Sequence, residues 1–238
     1  MALLEVAANS VASAFAAQDG GAGRIELCAS LDEGGVTPSH GTLVLAREGL
    51  TIPLYVLIRP RGGDFLYENI EIECMLDDIE HCRDLGCDGV VVGALTAEGD
   101  VDTEACTLFM RAAGTMGVTF HRAFDLVPDR RDALETLIDL GFERVLTSGG
   151  MQSAVAGAAS IAQLVTQAGE RIVVMPGAGI EPGNAANLRA ATHAREFHAS
   201  AKRRLPSGMR SPADALGMGA GETRTDVETV RAIVAALA

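Results

Sequence analysis

The chain has 238 residues, 48% of them hydrophobic, which is enough apolar material to bury a full core. With 32 acidic against 19 basic side chains the formal charge is -13, which excludes the net basic surface that nucleic-acid and anionic-membrane partners require. The opening Met1-Ala2-Leu3-Leu4-Glu5 has no basic leader region and its apolar run is broken by an acid, and the five cysteines lack disulfide-framework spacing, so a cytoplasmic chain with reduced thiols, no signal peptide and no membrane span is expected.

Residues 3 to 8 read as a strand, and Ser10 opens an Ala-rich helix that ends at Gly20-Gly21. Arg24 to Cys28 alternates polar and apolar residues with the period of two that a strand imposes, so Glu26 and Cys28 share one face. A loop with Asp32, Glu33 and Gly34-Gly35 follows, and Ser39 caps a helix from about 40 to 48. Pro53 to Arg59 is a third strand, and Pro60 to Tyr67 a loop. Ile72, Met75, Leu76, Ile79 and Cys82 recur at helical spacing up to Gly86, before the apolar strand Gly89 to Gly93. The unit then repeats: helix 102–113 and strand 117–121, helix 129–140 and strand 144–147, helix 153–168 and strand 171–175, helix 182–192 and strand 196–199. Val227, Val230, Val234 and Leu237 mark a closing helix. Eight strand-helix units in this length predict one (β/α)8 barrel, or TIM barrel, domain over residues 1–238, with 202–226 as an irregular connection that serves as a lid or mobile loop.

Barrel sites lie at the C-terminal ends of the strands, and here those ends are polar. Alternation points Glu5 and Ala7, Glu26 and Cys28, Arg59, His121, and Glu196 and His198 inward. Ionisable groups inside a barrel must be paired or carry function, because an unpaired buried charge is costly. Arg59, Arg61 and Arg122, with Asp64 and Asp125 close behind them, suggest an anion-binding mouth; the alternative is that each Arg neutralises a neighbouring acid. Three Gly- or Ala-containing strand ends follow, at Ser148-Gly149-Gly150, Gly177-Ala178-Gly179 and Ser200-Ala201. Their backbone N–H groups suit a phosphate, although a tight turn needs glycine equally. Among the cysteines only Cys28 is placed for chemistry, and no CxxC pair supports zinc or thioredoxin-like redox work.

The segments IELCASLDEGGVTPSHG, IRPRGGDFLY, VVVGALTAEGDVD, TFHRAFD, RVLTSGG, VMPGAGI and EFHASA resemble, in order and spacing, the CutC copper-homeostasis family over residues 4–201. That resemblance implies a cytoplasmic (β/α)8 barrel, homo-oligomeric in many relatives, with a role in handling Cu(I), for which Cys28 is the candidate ligand at the mouth. Ala7, Gly150 and Ala199 stand where relatives can carry Cys. Two readings therefore stay open. One is a copper-homeostasis protein that binds Cu(I). The other is an enzyme for a small anionic or phosphorylated metabolite, with Glu26, His121, Glu5 and His198 as acid-base candidates and Arg59, Arg61, Arg122, Asp125, Ser148, Gly149, Gly177, Ala178 and Ser200 as ligand contacts.

Overall fold

The computed structural model describes residues 2–210 and 221–238. Its strands are β1 (Leu3–Ala8), β2 (Arg24–Leu27), β3 (Leu54–Leu57), β4 (Gly89–Val92), β5 (Gly117–Phe120), β6 (Arg144–Thr147), β7 (Val173–Pro176) and β8 (Glu196–Ala199). All eight are parallel and run β7-β6-β5-β4-β3-β2-β1-β8, with β8 paired to β1 (Leu3 opposite Glu196). Because β7 also lies beside β8, the sheet curls into a nearly closed TIM barrel.

Around it stand α1 (Val11–Asp19), α2 (His40–Gly49), α3 (Asn69–Asp84), α4 (Thr103–Ala113), α5 (Arg130–Asp139), α6 (Ala158–Ala168), α7 (Ala185–Thr192) and α8 (Val227–Ala236). Local chemistry sets their starts: Ser10, Ser39, Asp102, Asp129 and Asp226 each accept a first-turn backbone N–H. Stops are equally local. In α1, α3 and α5 a left-handed glycine (Gly21, Gly86, Gly141) turns the chain, and the next N–H returns to a carbonyl five residues back, pairing Ala22 with Ala17, Cys87 with Cys82 and Phe142 with Leu137.

Two departures from the sequence reading have physical causes. Helix α6 begins at Ala158 rather than 153, because Gly157 presses against the backbone of Ser148 and Gly149 so closely that no Cβ would fit, which delays the helix by a turn. The 202–226 connection is partly ordered: β9 (Lys202–Leu205) and β10 (Glu222–Thr225) form an antiparallel ribbon, while 211–220 lie outside the described residues.

Candidate active site

The barrel floor is an ion-pair cluster rather than branched apolar layers. Alternation along β2 turns Arg24 and Glu26 inward together, and Arg24 bonds Glu5 on β1 and, at 2.5 Å, Glu196 on β8. Arg144 on β6 reaches Glu196 at 2.6 Å, Glu143 at 2.8 Å and the Thr119 hydroxyl at 3.0 Å. Tyr55 lies between the two guanidiniums, 5.0 and 5.3 Å from its ring centroid, and donates its hydroxyl proton to Glu143 at 2.7 Å. Room for that ring comes from Gly89 and Gly117, where a Cβ would collide with it.

Alternation singles out Glu5, Glu26, Arg59, His121, Glu196 and His198 as inward ionisable groups, and the structure adds Arg24, Arg144 and Tyr55 to them. The signal was available, since Arg24 precedes Glu26 by two residues and Arg144 opens its strand. What alternation could not show is that the two arginines share Glu196.

Above this floor the polar groups become incompletely satisfied. His198 on β8 lies with Nδ1 2.8 Å from Glu5 and 3.9 Å from Glu26. Burial alone would raise the pKa of Glu5, but Arg24 and the bond to His198 outweigh it and hold it at about 2. Glu26 is pushed to about 7, chiefly by burial, with His198 opposing and Glu5 adding to the rise. Burial works against charge on His198, yet Glu26 and Glu5 together raise its pKa.

At the end of β5, His121 accepts the Ala123 N–H on Nδ1, so its proton sits on Nε2. Burial, reinforced by Arg59, lowers its pKa to about 3, and the ring is neutral at physiological pH. Glu26 Oε2 and His121 Nε2 are both buried with no hydrogen-bond partner among the described residues. Both residues line one cavity of about 220 Å3, together with Ala7, Arg59, Phe65, Arg122 and His198. A wider recess of about 670 Å3 adjoins it at the mouth, sharing Ala7, Leu31, Arg122 and His198 and bordered by Ala178, Gly179, Ser200 and Lys202.

Several residues expected to meet a ligand are committed elsewhere. Arg59 lines the cavity; its Nη atoms donate to the carbonyls of Glu33, Gly35 and Gly63 and staple the β2 and β3 loops, while its Nε is buried with no hydrogen-bond partner among the described residues. Arg61 is bonded to Glu71 at 2.6 Å and Asp64 at 3.1 Å and borders neither recess. Asp125 fills the loop after β6 as an internal anion: it accepts from the Thr147 hydroxyl, the Ser148 hydroxyl and N–H, the Gly150 N–H and Arg122. The Gly149 N–H donates to Thr147 Oγ1 and the Gly177 N–H to the Thr147 carbonyl, so neither amide is available to a phosphate. Gly177 matters through its missing Cβ, which would strike Leu146 and crowd His198. The amides of Ala178 and Ser200 find no acceptor among the described residues, and Ala178 (φ 80°) and Ala201 (φ 45°) hold left-handed conformations that alanine rarely adopts.

Cys28 lies in a small apolar cluster with Tyr55, Leu57 and Val91, its thiol 3.6 Å from the Ala8 carbonyl. Burial, with Glu26 adding, pushes that thiol well above its usual range and keeps it protonated. The nearest metal-like constellation is Glu5, Glu26 and His198, whose ligand atoms lie within 4.8 Å of one another. Two carboxylates and an imidazole are hard and borderline donors, whereas Cu(I) favours thiolate and thioether, so the mouth does not fit Cu(I).

The fold and site define a (β/α)8-barrel protein with a polar pocket at the C-terminal mouth, lined by Glu26, His121 and His198. The CutC family model matches residues 2–203. A CutC protein of Xanthomonas campestris pv. campestris is 57% identical over 232 residues, 97% of each chain, and the mouse copper homeostasis protein cutC homolog is 49% identical over 97% of this chain and 88% of its own. A solved CutC structure from Streptococcus agalactiae superposes with a TM-score of 0.81 at 33% identity, covering 84% of this chain and 99% of that one. This chain belongs to the CutC family of copper homeostasis proteins.

Proposed function

We propose that the mouth of the barrel is an enzyme active site that moves protons on a small anionic, carbonyl-containing metabolite. One observation carries this: Glu26 Oε2 and His121 Nε2, both buried and unpartnered, share a single cavity. A folded chain tolerates such groups where a ligand completes them. Glu26, near 7, can take and return a proton at neutral pH. Neutral His121 donates from Nε2 and would stabilise an oxygen that gains negative charge, while His198, held by its hydrogen bond to Glu5, lines the same cavity. Arg122, Lys202 and the free amides of Ala178 and Ser200 border the wider recess and suit the substrate's anionic end.

The five free cysteines accord with a reducing cytoplasm, and no described helix is long and apolar enough to cross a membrane. The test is a metabolite screen by thermal shift in the full-length protein, followed by solvent-deuterium exchange into whichever ligand binds. Binding and exchange that survive in Glu26→Gln would overturn the assignment, as would a broad library of carbonyl acids and sugar phosphates that leaves the midpoint unmoved.

A further inference from the structure

Three arginines are buried among the described residues, and one of them lacks a counter-ion. Arg24 and Arg144 are each bonded to two carboxylates. Arg59, only 5% exposed, makes no ion pair among the described residues: its Nη atoms donate to three backbone carbonyls, which carry no formal charge, and its Nε–H has no acceptor. A buried guanidinium is ordinarily matched by an acid, because a desolvated charge is costly alone. The same guanidinium acts on the ionisation of Tyr67, whose hydroxyl is also buried without a partner among the described residues, but a neutral phenol supplies no counter-charge.

This unmatched charge lies in the pocket of Glu26 and His121. Arg59 lines the same cavity, and Phe65 packs against both donors, its ring centroid 5.0 Å from the Arg59 guanidinium carbon and 4.7 Å from that of the His121 ring. The cavity residues thus carry two unpartnered N–H donors, one of them charged, and one unpartnered carboxyl oxygen. A volume of about 220 Å3 holds about seven waters at roughly 30 Å3 each, so an anion held by Arg59 and a carbon served by Glu26 are separated by no more than a few bonds.

We infer that the inner cavity is a carboxylate seat, with Arg59 as the residue that sets specificity, and that its ligand is a short-chain 2-oxo carboxylate. The carboxylate takes the Arg59 Nε–H, the 2-oxygen takes the His121 Nε2–H, and the carbon skeleton lies against Glu26. A charge-assisted bond of this kind is stronger than a neutral one, and it supplies the counter-charge that Arg59 lacks. The assignment rests on the proposed reading of the mouth as an active site and names its substrate class; the wider recess is left to the far end of a longer substrate.

The experiment compares pyruvate with pyruvamide, its uncharged isostere, on the full-length protein by thermal shift and calorimetric titration, and follows the Arg59 Nε–H resonance in isotope-labelled protein. Pyruvate should raise the midpoint, bind about 10- to 100-fold more tightly than pyruvamide, and shift the Arg59 signal. Arg59→Lys keeps the charge but lacks the Nε–H, and should bind pyruvate more weakly, whereas Glu26→Gln should still bind it. Absence of pyruvate binding, equal affinity for acid and amide, or an Arg59 signal unmoved in the bound protein would each overturn the proposal, and all three are read on the wild type, so they do not depend on how Arg59→Lys folds. Equal binding of acid and amide with solvent exchange that still needs Glu26 removes the carboxylate seat and leaves the proton-transfer reading standing; pyruvate held by Arg59 without exchange does the reverse.

Discussion

Glu5 and Glu26 stand on adjacent strands and address the same nitrogen of His198, at 2.8 and 3.9 Å, yet their acidities are driven in opposite directions. Glu5 has Arg24 bonded to it, whereas Glu26, which lines the cavity, has an oxygen with no hydrogen-bond partner among the described residues. Environment alone separates a permanent anion from a group that can exchange a proton at neutral pH.

This separation fixes how stability responds to pH. Unfolded Glu26 releases its proton near 4.5 while the folded chain keeps it to about 7, so stability falls as pH rises across that window. The raised His198 acts in the same sense: its contribution is complete below 6.5 and lost as pH rises through its folded value. Glu5 acts oppositely, and its contribution is lost as pH falls from 4.5 towards 2. Chemical denaturation should therefore show maximal stability in mildly acidic buffer. Glu26→Gln should gain on the wild type as pH rises from 4.5 to 7, by on the order of a few kcal/mol. Parallel pH profiles for the two proteins would show that Glu26 titrates normally.

Truncating an arginine of the floor should be severe. Arg144→Met strips Glu143 and Glu196 of a charge partner at a fully buried position and is expected to cost about 3–5 kcal/mol in urea denaturation. A loss below about 1 kcal/mol, the scale of an exposed pair, would mean that water reaches the cluster.

Asp125 gives a prediction about the loop after β6. In Asp125→Ala the Ser148 and Gly150 amides and Arg122 lose their acceptor, which should cost about 1–3 kcal/mol. Sulfate should then stabilise the variant more than it stabilises the wild type, since the vacated nest suits an oxyanion. Thermal melts in sulfate against chloride decide it, and equal shifts in both proteins would count against an internal anion.

Gly93 controls the seat of His121. A Cβ there would come within 2.4 Å of the imidazole, so Gly93→Ala must push the ring from its buried position. The His121 pKa, about 3 in the wild type, should climb towards the ordinary 6.5 in an NMR titration, and binding of any mouth ligand should weaken. An unchanged titration would place the ring elsewhere.

Much of this protein was readable along the chain because the signals are local. A period of two within strands, a period of 3.6 between them, Ser and Asp before helices and Gly after them specify the eightfold strand-helix repeat without any long-range information. The same alternation turned Glu26, His121 and His198 towards one end of the barrel.

Occupancy was decided only by the tertiary structure. The residues Arg59, Ser148 and Gly149 look alike in sequence whether they meet a ligand or one another, and it took folding to bring Gly35 and Gly63 carbonyls to Arg59 and Asp125 to the Ser148 loop. Direction along a strand is set by neighbours one and two residues away, whereas satisfaction of a buried polar group depends on partners tens of residues distant, and only closure of the barrel selects them.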